Sequence, residues 1–77
     1  MKPLVIYHGG CRDGFCAAWV ADRFFSARGG ADFHAGYYGH APPLVDGRTV
    51  FVLDFSYPRP VMDEMHMKAA SLVVLDH

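Results

Sequence analysis

Residues Pro3 to Arg28 read PLVIYHGGCRDGFCAAWVADRFFSAR. Leu4 to Tyr7 form a short continuous apolar run, the pattern of a strand covered on both faces, as in a parallel sheet. His8, Gly9, Gly10, Cys11, Arg12, Asp13 and Gly14 follow. The glycines open backbone conformations that other residues resist and let a ligand come close. Asp13 is placed to cap a helix, and Phe15 to Ala27 is helical in character. Phe15, Ala18, Trp19, Asp22 and Phe25 share one side; Ala17, Val20, Ala21 and Phe24 fill another. A helix apolar nearly all round is expected to be buried on more than one side. Arg28 suits the negative C-terminal end, and Gly29-Gly30 is a stop signal. Strand, glycine turn and helix in this order put chemistry in the turn, because loops at the carboxyl ends of parallel strands line the ligand crevice.

Outward from this stretch, Asp32 to Tyr38 (DFHAGYY) reads as a weaker strand with partial alternation, and Gly39 to Gly47, with two prolines and two glycines, as a connecting loop. Thr49 to Phe55 (TVFVLDF) is the strongest strand by composition. Pro58 and Pro60 end it, and Pro60 suits the first turn of a helix. In that helix Val61, Met62, Met65, Lys68 and Ala69 fall at helical spacing, with Asp63, Glu64, His66 and Lys68 available to solvent. Leu72 to Leu75 is a fourth strand, ended by Asp76 and His77. The order strand, helix, strand, strand, helix, strand predicts an α/β layered fold: a Rossmann-like, mostly parallel sheet of about four strands with two crossover helices. A chain that closes on the last residues of an uncovered strand is read as part of a larger domain.

Seventy-seven residues allow one small domain, which buries only about 60–65% of the surface its unfolded chain exposes. A hydrophobic fraction of 52% is too apolar for disorder and high for a domain that solvates its whole outside. A formal net charge of -1 argues against a broad grip on long nucleic acid, which needs a basic stripe. It leaves room for a small phosphorylated substrate held by a few local contacts. No apolar run approaches the length of a membrane span and no signal-peptide pattern opens the chain, so the expectation is cytoplasmic. Cys11 and Cys16 read as reduced thiols, Cys16 packed as a small hydrophobe, with no zinc-binding spacing.

Three strand ends supply His8 and Asp13, then Asp54, then Asp76 and His77. In a parallel sheet these ends share one rim. Carboxylates gathered there repel one another without a cation, and carboxylates with imidazoles suit manganese or another first-row divalent ion. Two such ions ~3.5–4 Å apart can clamp both sides of a phosphoryl displacement, with a metal-activated water attacking phosphorus. Each residue also has a plainer reading: Asp13 as a helix cap, Asp54 as the opening of a turn, Asp76 as a solvated strand terminus, His8 as a core histidine. Their recurrence at three ends of one rim favours the metal site. Asp32, Asp46, Asp63 and Glu64 read as surface charges, and His34, His40 and His66 as structural or solvated.

HGGCRDGFCAAW, VFVLDFSYP and LVVLDH, in this order and spacing, resemble the first three motifs of the DHH phosphoesterase family, nearest to its RecJ-like and oligoribonuclease branch. The resemblance covers Leu4 to His77, the N-terminal portion of such a domain. It implies manganese-dependent hydrolysis of phosphodiester or phosphoanhydride bonds. It implies Asp13, Asp54 and Asp76 as metal ligands, Asp54 as the candidate to bridge two ions, His8 as a further ligand or close neighbour, His77 next to the scissile phosphate or the metals, and Asp76 and His77 as the catalytic residues. Gly9, Gly10 and Gly14 are the candidate substrate-binding positions. Two features depart from the family. Phe15 stands where many members carry a second aspartate, and the triplet's final histidine, a fourth motif and a C-terminal substrate-binding domain are not in these 77 residues, so the piece alone is expected to turn over little substrate. The expected partners are a short oligonucleotide, a dinucleotide or another small phosphorylated substrate, with no membrane, and a second copy through an exposed sheet edge. The alternative is a non-catalytic nucleotide- or phosphate-binding module that holds an anion at Gly9, Gly10 and the helix N-terminus.

Overall fold

A computed structural model describes residues 2–10 and 12–75, Asp13 by its backbone alone. The elements are β1 (Leu4–His8), α1 (Arg12–Ser26), β2 (Asp32–Gly36), β3 (Thr49–Leu53), α2 (Arg59–Lys68) and β4 (Ser71–Leu75). The four strands form one sheet in the order β2-β1-β3-β4, every pair parallel. This is the α/β layered architecture that the alternation of apolar runs and helical segments predicts.

Residues paired in a parallel ladder share a face of the sheet. Leu4 pairs with Val50 and Ile6 with Val52; Val50 and Val52 pair in turn with Leu72 and Val74. Leu4, Ile6, Val50 and Val52 are buried on one face together with Val45, Phe55, Tyr57 and Met65, and Val61, Met62, Ala69 and Leu72 pack against that cluster. The β2–β3 loop and α2 cover this face. Val5, Tyr7, Phe51, Leu53, Val73 and Leu75 alternate with these residues and turn to the other face. There α1 lies over β1, with Val5 fully buried.

α1 differs from its sequence reading in two ways. It begins at Arg12, so Asp13 stands inside its first turn rather than at the cap. Second, only one stripe is covered: Gly14 is buried and Ala17, Ala18, Ala21 and Phe25 are half-buried. Phe15, Trp19, Val20 and Phe24 are each more than half exposed. The reason is that one helix reaches β1 and part of β3, and among the described residues nothing flanks it over β4. A groove of about 570 Å³ remains between α1 and the sheet, lined by Val20, Phe24, Phe51, Leu53 and Leu75 among others. Cys16 is a free, exposed thiol rather than a packed one; Cys11 lies outside the described residues.

The end of α1 matches its signals. Gly29 and Gly30 have φ of 95° and 88°, values natural to glycine, and the Gly30 N–H reaches back to the Phe25 carbonyl at 2.7 Å. The Arg28 guanidinium donates to the Phe24 carbonyl at 2.8 Å, a cation on the negative helix end. α2 carries Pro60 in its first turn and buries Met65.

Candidate functional site

The order of strands decides where a ligand can sit. The chain leaves β1 toward β2 on one side and leaves β3 toward β4 on the other. Between the carboxyl ends of β1 and β3 the connections diverge, and such a switch point in an open parallel sheet opens a crevice. The Gly9-Gly10 turn and Asp54 are the residues at this point.

The Gly9 N–H bonds the Gly36 carbonyl at 2.8 Å, carrying the β1–β2 ladder one step past the strand. Gly10 has φ of 80° and is exposed. Gly14 is different: a Cβ there would lie 2.1 Å from the His8 carbonyl oxygen. It is buried against β1, and its missing side chain lets the helix begin close on the strand it follows. Of the three glycines proposed to meet substrate, Gly10 is exposed at the crevice, Gly9 lies beneath the Tyr37 ring and Gly14 is packed against the strand.

Asp54 follows the last β3–β4 pair, Leu53 with Leu75, and its N–H bonds the Leu75 carbonyl at 2.9 Å. Its φ is 55°, the only positive value at a non-glycine position among the described residues. Aspartate tolerates this region better than most side chains because its short carboxylate can bond locally. Alternation from Val50 and Val52 would send position 54 to the α2 side. Asp54 instead borders the groove on the α1 side, while Phe55 enters the core beneath the other face. The left-handed residue is where the chain makes that change.

His8 stands one step beyond the Tyr7–Leu53 pair, so it and Asp54 occupy neighbouring positions on the rim, on strands about 4.8 Å apart. The His8 ring is half-buried and packs on aromatic rings: Tyr38 at 5.3 Å edge-on and Phe55 at 5.5 Å. Among the described residues no three His, Cys, Asp or Glu side chains gather closely enough to hold a metal ion. The side chain of Asp13, and Asp76 and His77 entirely, lie outside the described residues. By donor chemistry a carboxylate such as Asp54 fits a divalent cation; it borders the α1-side groove, whereas the His8 ring is turned to Phe55 on the other face. Phe15, in the position where the family resemblance sets a second acid, is exposed.

The rim also holds residues that the sequence reading passed over. β2 ends at Gly36, not Tyr38. A Cβ at Gly36 would meet the Phe55 ring at 2.9 Å, so the glycine at the strand's end makes room for that ring. Tyr37, Tyr38, Gly39 and His40 then turn over the end of β1. The His40 N–H bonds the Tyr37 carbonyl at 3.1 Å and Gly39 has φ of 84°, the geometry of a type II turn. The signal that could have found them is the pair of tyrosines directly before Gly-His at a strand's carboxyl end. Behind them, Phe55 meets Tyr57 edge-on at 4.8 Å. The Tyr57 hydroxyl is buried with no hydrogen-bond partner among the described residues, and burial pushes its pKa up.

Comparison with protein-family models, curated proteins and solved structures gives no match for the chain.

Proposed function

We propose that the chain is the N-terminal part of a manganese-dependent phosphoesterase of the DHH type, hydrolysing phosphodiester bonds of short oligonucleotides or dinucleotides in the cytoplasm. The observation that carries the reading is the switch point: the crevice between β1 and β3 brings the Gly9-Gly10 turn and the left-handed Asp54 to one rim. Asp54, Asp13 and Asp76 would hold manganese, one ion or two, with His8 beside them. When bound, the metal supplies charge neutralisation at the carboxylates and phosphate and lowers the pKa of a bound water toward neutrality. The chain's own residues do the rest. The open backbone at Gly10 and the first turn of α1 receive the phosphate, with helix amides pointing at the anion. By the family resemblance, Asp76 and His77 would act at the scissile bond.

Titration of manganese into the protein by calorimetry tests this. Asp54→Asn keeps the side-chain shape and the tolerance for positive φ while removing the charge. The expected result is binding by the unaltered chain and a loss of at least about tenfold in Asp54→Asn. Equal isotherms would remove Asp54 from the site and the reading with it.

The alternative is a non-catalytic phosphate-binding module. That reading predicts phosphate binding at the Gly9-Gly10 turn that a chelator leaves unchanged.

No helix among the described residues is long and apolar enough to cross a membrane. Self-association through β4 is part of the proposal. β4 is an edge strand whose five residues, SLVVL, carry no charge and no proline, and Val73, Val74 and Leu75 are exposed.

A further inference from the structure

Tyr37 and Tyr38 leave the end of β2 and lean over the same crevice. The Tyr37 ring covers Gly9 so closely that a Cβ on that glycine would lie 2.5 Å from it. The Tyr38 ring packs against His8 at 5.3 Å and against Phe55 at 5.0 Å. Phe55 is itself buried and rests edge-on against Tyr57. The His40 ring sits beside Tyr37 at 5.6 Å. Despite these contacts Tyr38 remains 67% exposed and Tyr37 46%.

A ring backed by a buried aromatic stack and open to solvent on its remaining surface is held in place before any ligand arrives. Tyr38 is such a ring, Tyr37 stands beside it over the turn, and the buried cluster closes without either of them. Every nucleobase has a π-face that stacks on an aromatic ring, whereas a phosphate chain has none.

We propose that Tyr38, with Tyr37 and His40 beside it, is a stacking platform for the nucleobase of the ligand whose phosphate meets the Gly9-Gly10 turn. The inference rests on the phosphoesterase reading of this rim and narrows it: the substrate carries a base, and polyphosphate is not the substrate. Tyr37 reaches both Gly9 and Gly10, so the platform borders the turn directly.

The test compares the dinucleotide pApA, ribose 5-phosphate and tripolyphosphate as ligands of the full chain, by calorimetry with manganese and again with chelator. The expected result is that pApA binds tightest. Tyr38→Ala should weaken pApA binding about 5- to 150-fold, the range measured for losing one base–aromatic stack, and leave ribose 5-phosphate unchanged. Tyr38→Phe, which keeps the ring, should restore pApA binding, and a matching melting temperature shows that the fold is intact. Equal affinity for pApA and the baseless ligands, no binding of any of them, or undiminished pApA binding in Tyr38→Ala overturns the platform. Base-dependent binding that survives chelator and Asp54→Asn leaves the platform standing and removes the metal. Manganese binding with no base preference does the reverse.

Discussion

At the scale of single residues, two glycines near the rim meet two different obstacles. The Cβ of Gly14→Ala would sit 2.1 Å from the His8 carbonyl oxygen, 2.8 Å from the His8 Cβ and 2.9 Å from its carbonyl carbon, mostly backbone that cannot yield cheaply. The Cβ of Gly9→Ala would meet only the Tyr37 ring, the far end of a partly exposed side chain that can swing aside. Overpacking of the first kind costs about 3 kcal/mol or more, enough to unfold much of a domain this small; the second costs about 1 kcal/mol. Urea unfolding of both variants checks the order. Tyr57 makes a different prediction. Its buried hydroxyl has no partner among the described residues and its pKa is raised by burial. The unfolded chain therefore releases that proton first as pH rises past about 10, and stability falls above that pH. Tyr57→Phe should raise stability by about 1 kcal/mol at neutral pH by removing an unpaired buried group. It should also flatten the alkaline decline, as read by melting temperature from pH 8 to 11. A variant less stable than the parent would mean that the hydroxyl is satisfied.

At the scale of elements, the strands were legible because each is a short apolar run with a clear stop. Thr49 to Leu53 ends at a turn residue followed by prolines, and Leu4 to His8 ends at two glycines. What the sequence could not reveal was how many neighbours each helix has. The composition of α1 suits burial on several sides, but in the described residues it has one neighbour, the sheet. Phe25 faces that neighbour, its ring 5.3 Å from Phe51, while Trp19 faces solvent under the Arg23 guanidinium at 5.1 Å. Phe25→Ala should therefore cost about 2 kcal/mol and Trp19→Gln less than about 1 kcal/mol in urea unfolding. A larger loss for Trp19→Gln would show that the outer face of α1 is covered. The tyrosines of the rim escaped the sequence reading because strand propensity carried β2 through Tyr38. Gly36, where the strand ends, makes room for Phe55, nineteen positions later along the chain, a contact that no local pattern encodes. Asp54, Gly9 and Gly10 were legible because turn residues at strand ends announce themselves.

At the scale of the whole molecule, the sheet is covered evenly on one face and unevenly on the other. The β2–β3 loop and α2 seal the core around Ile6, Val50 and Val52, while among the described residues α1 alone attends the opposite face and β4 ends the sheet uncovered. An uncharged edge strand with exposed valines is a template for pairing. Sedimentation velocity should show concentration-dependent association of the chain, and Val73→Lys should hold it as a monomer. A parent chain that stays monomeric throughout would rule out the edge as a contact. The same topology that leaves β4 open also creates the crevice. The metal proposal depends on acids from separate strands meeting where β1 and β3 part. The most direct test is a nuclear magnetic resonance titration of the isotope-labelled chain with manganese below one equivalent. Line broadening falls steeply with distance from the paramagnetic ion, so the map of lost amide signals locates it. Gly9, Gly10, Asp54 and Phe55 should broaden first, with Leu4, Thr49 and Ser71 at the far ends of the strands retaining intensity. Broadening centred on Asp63, Glu64 and His66 of α2, or spread evenly over the surface, would contradict a metal site on the rim.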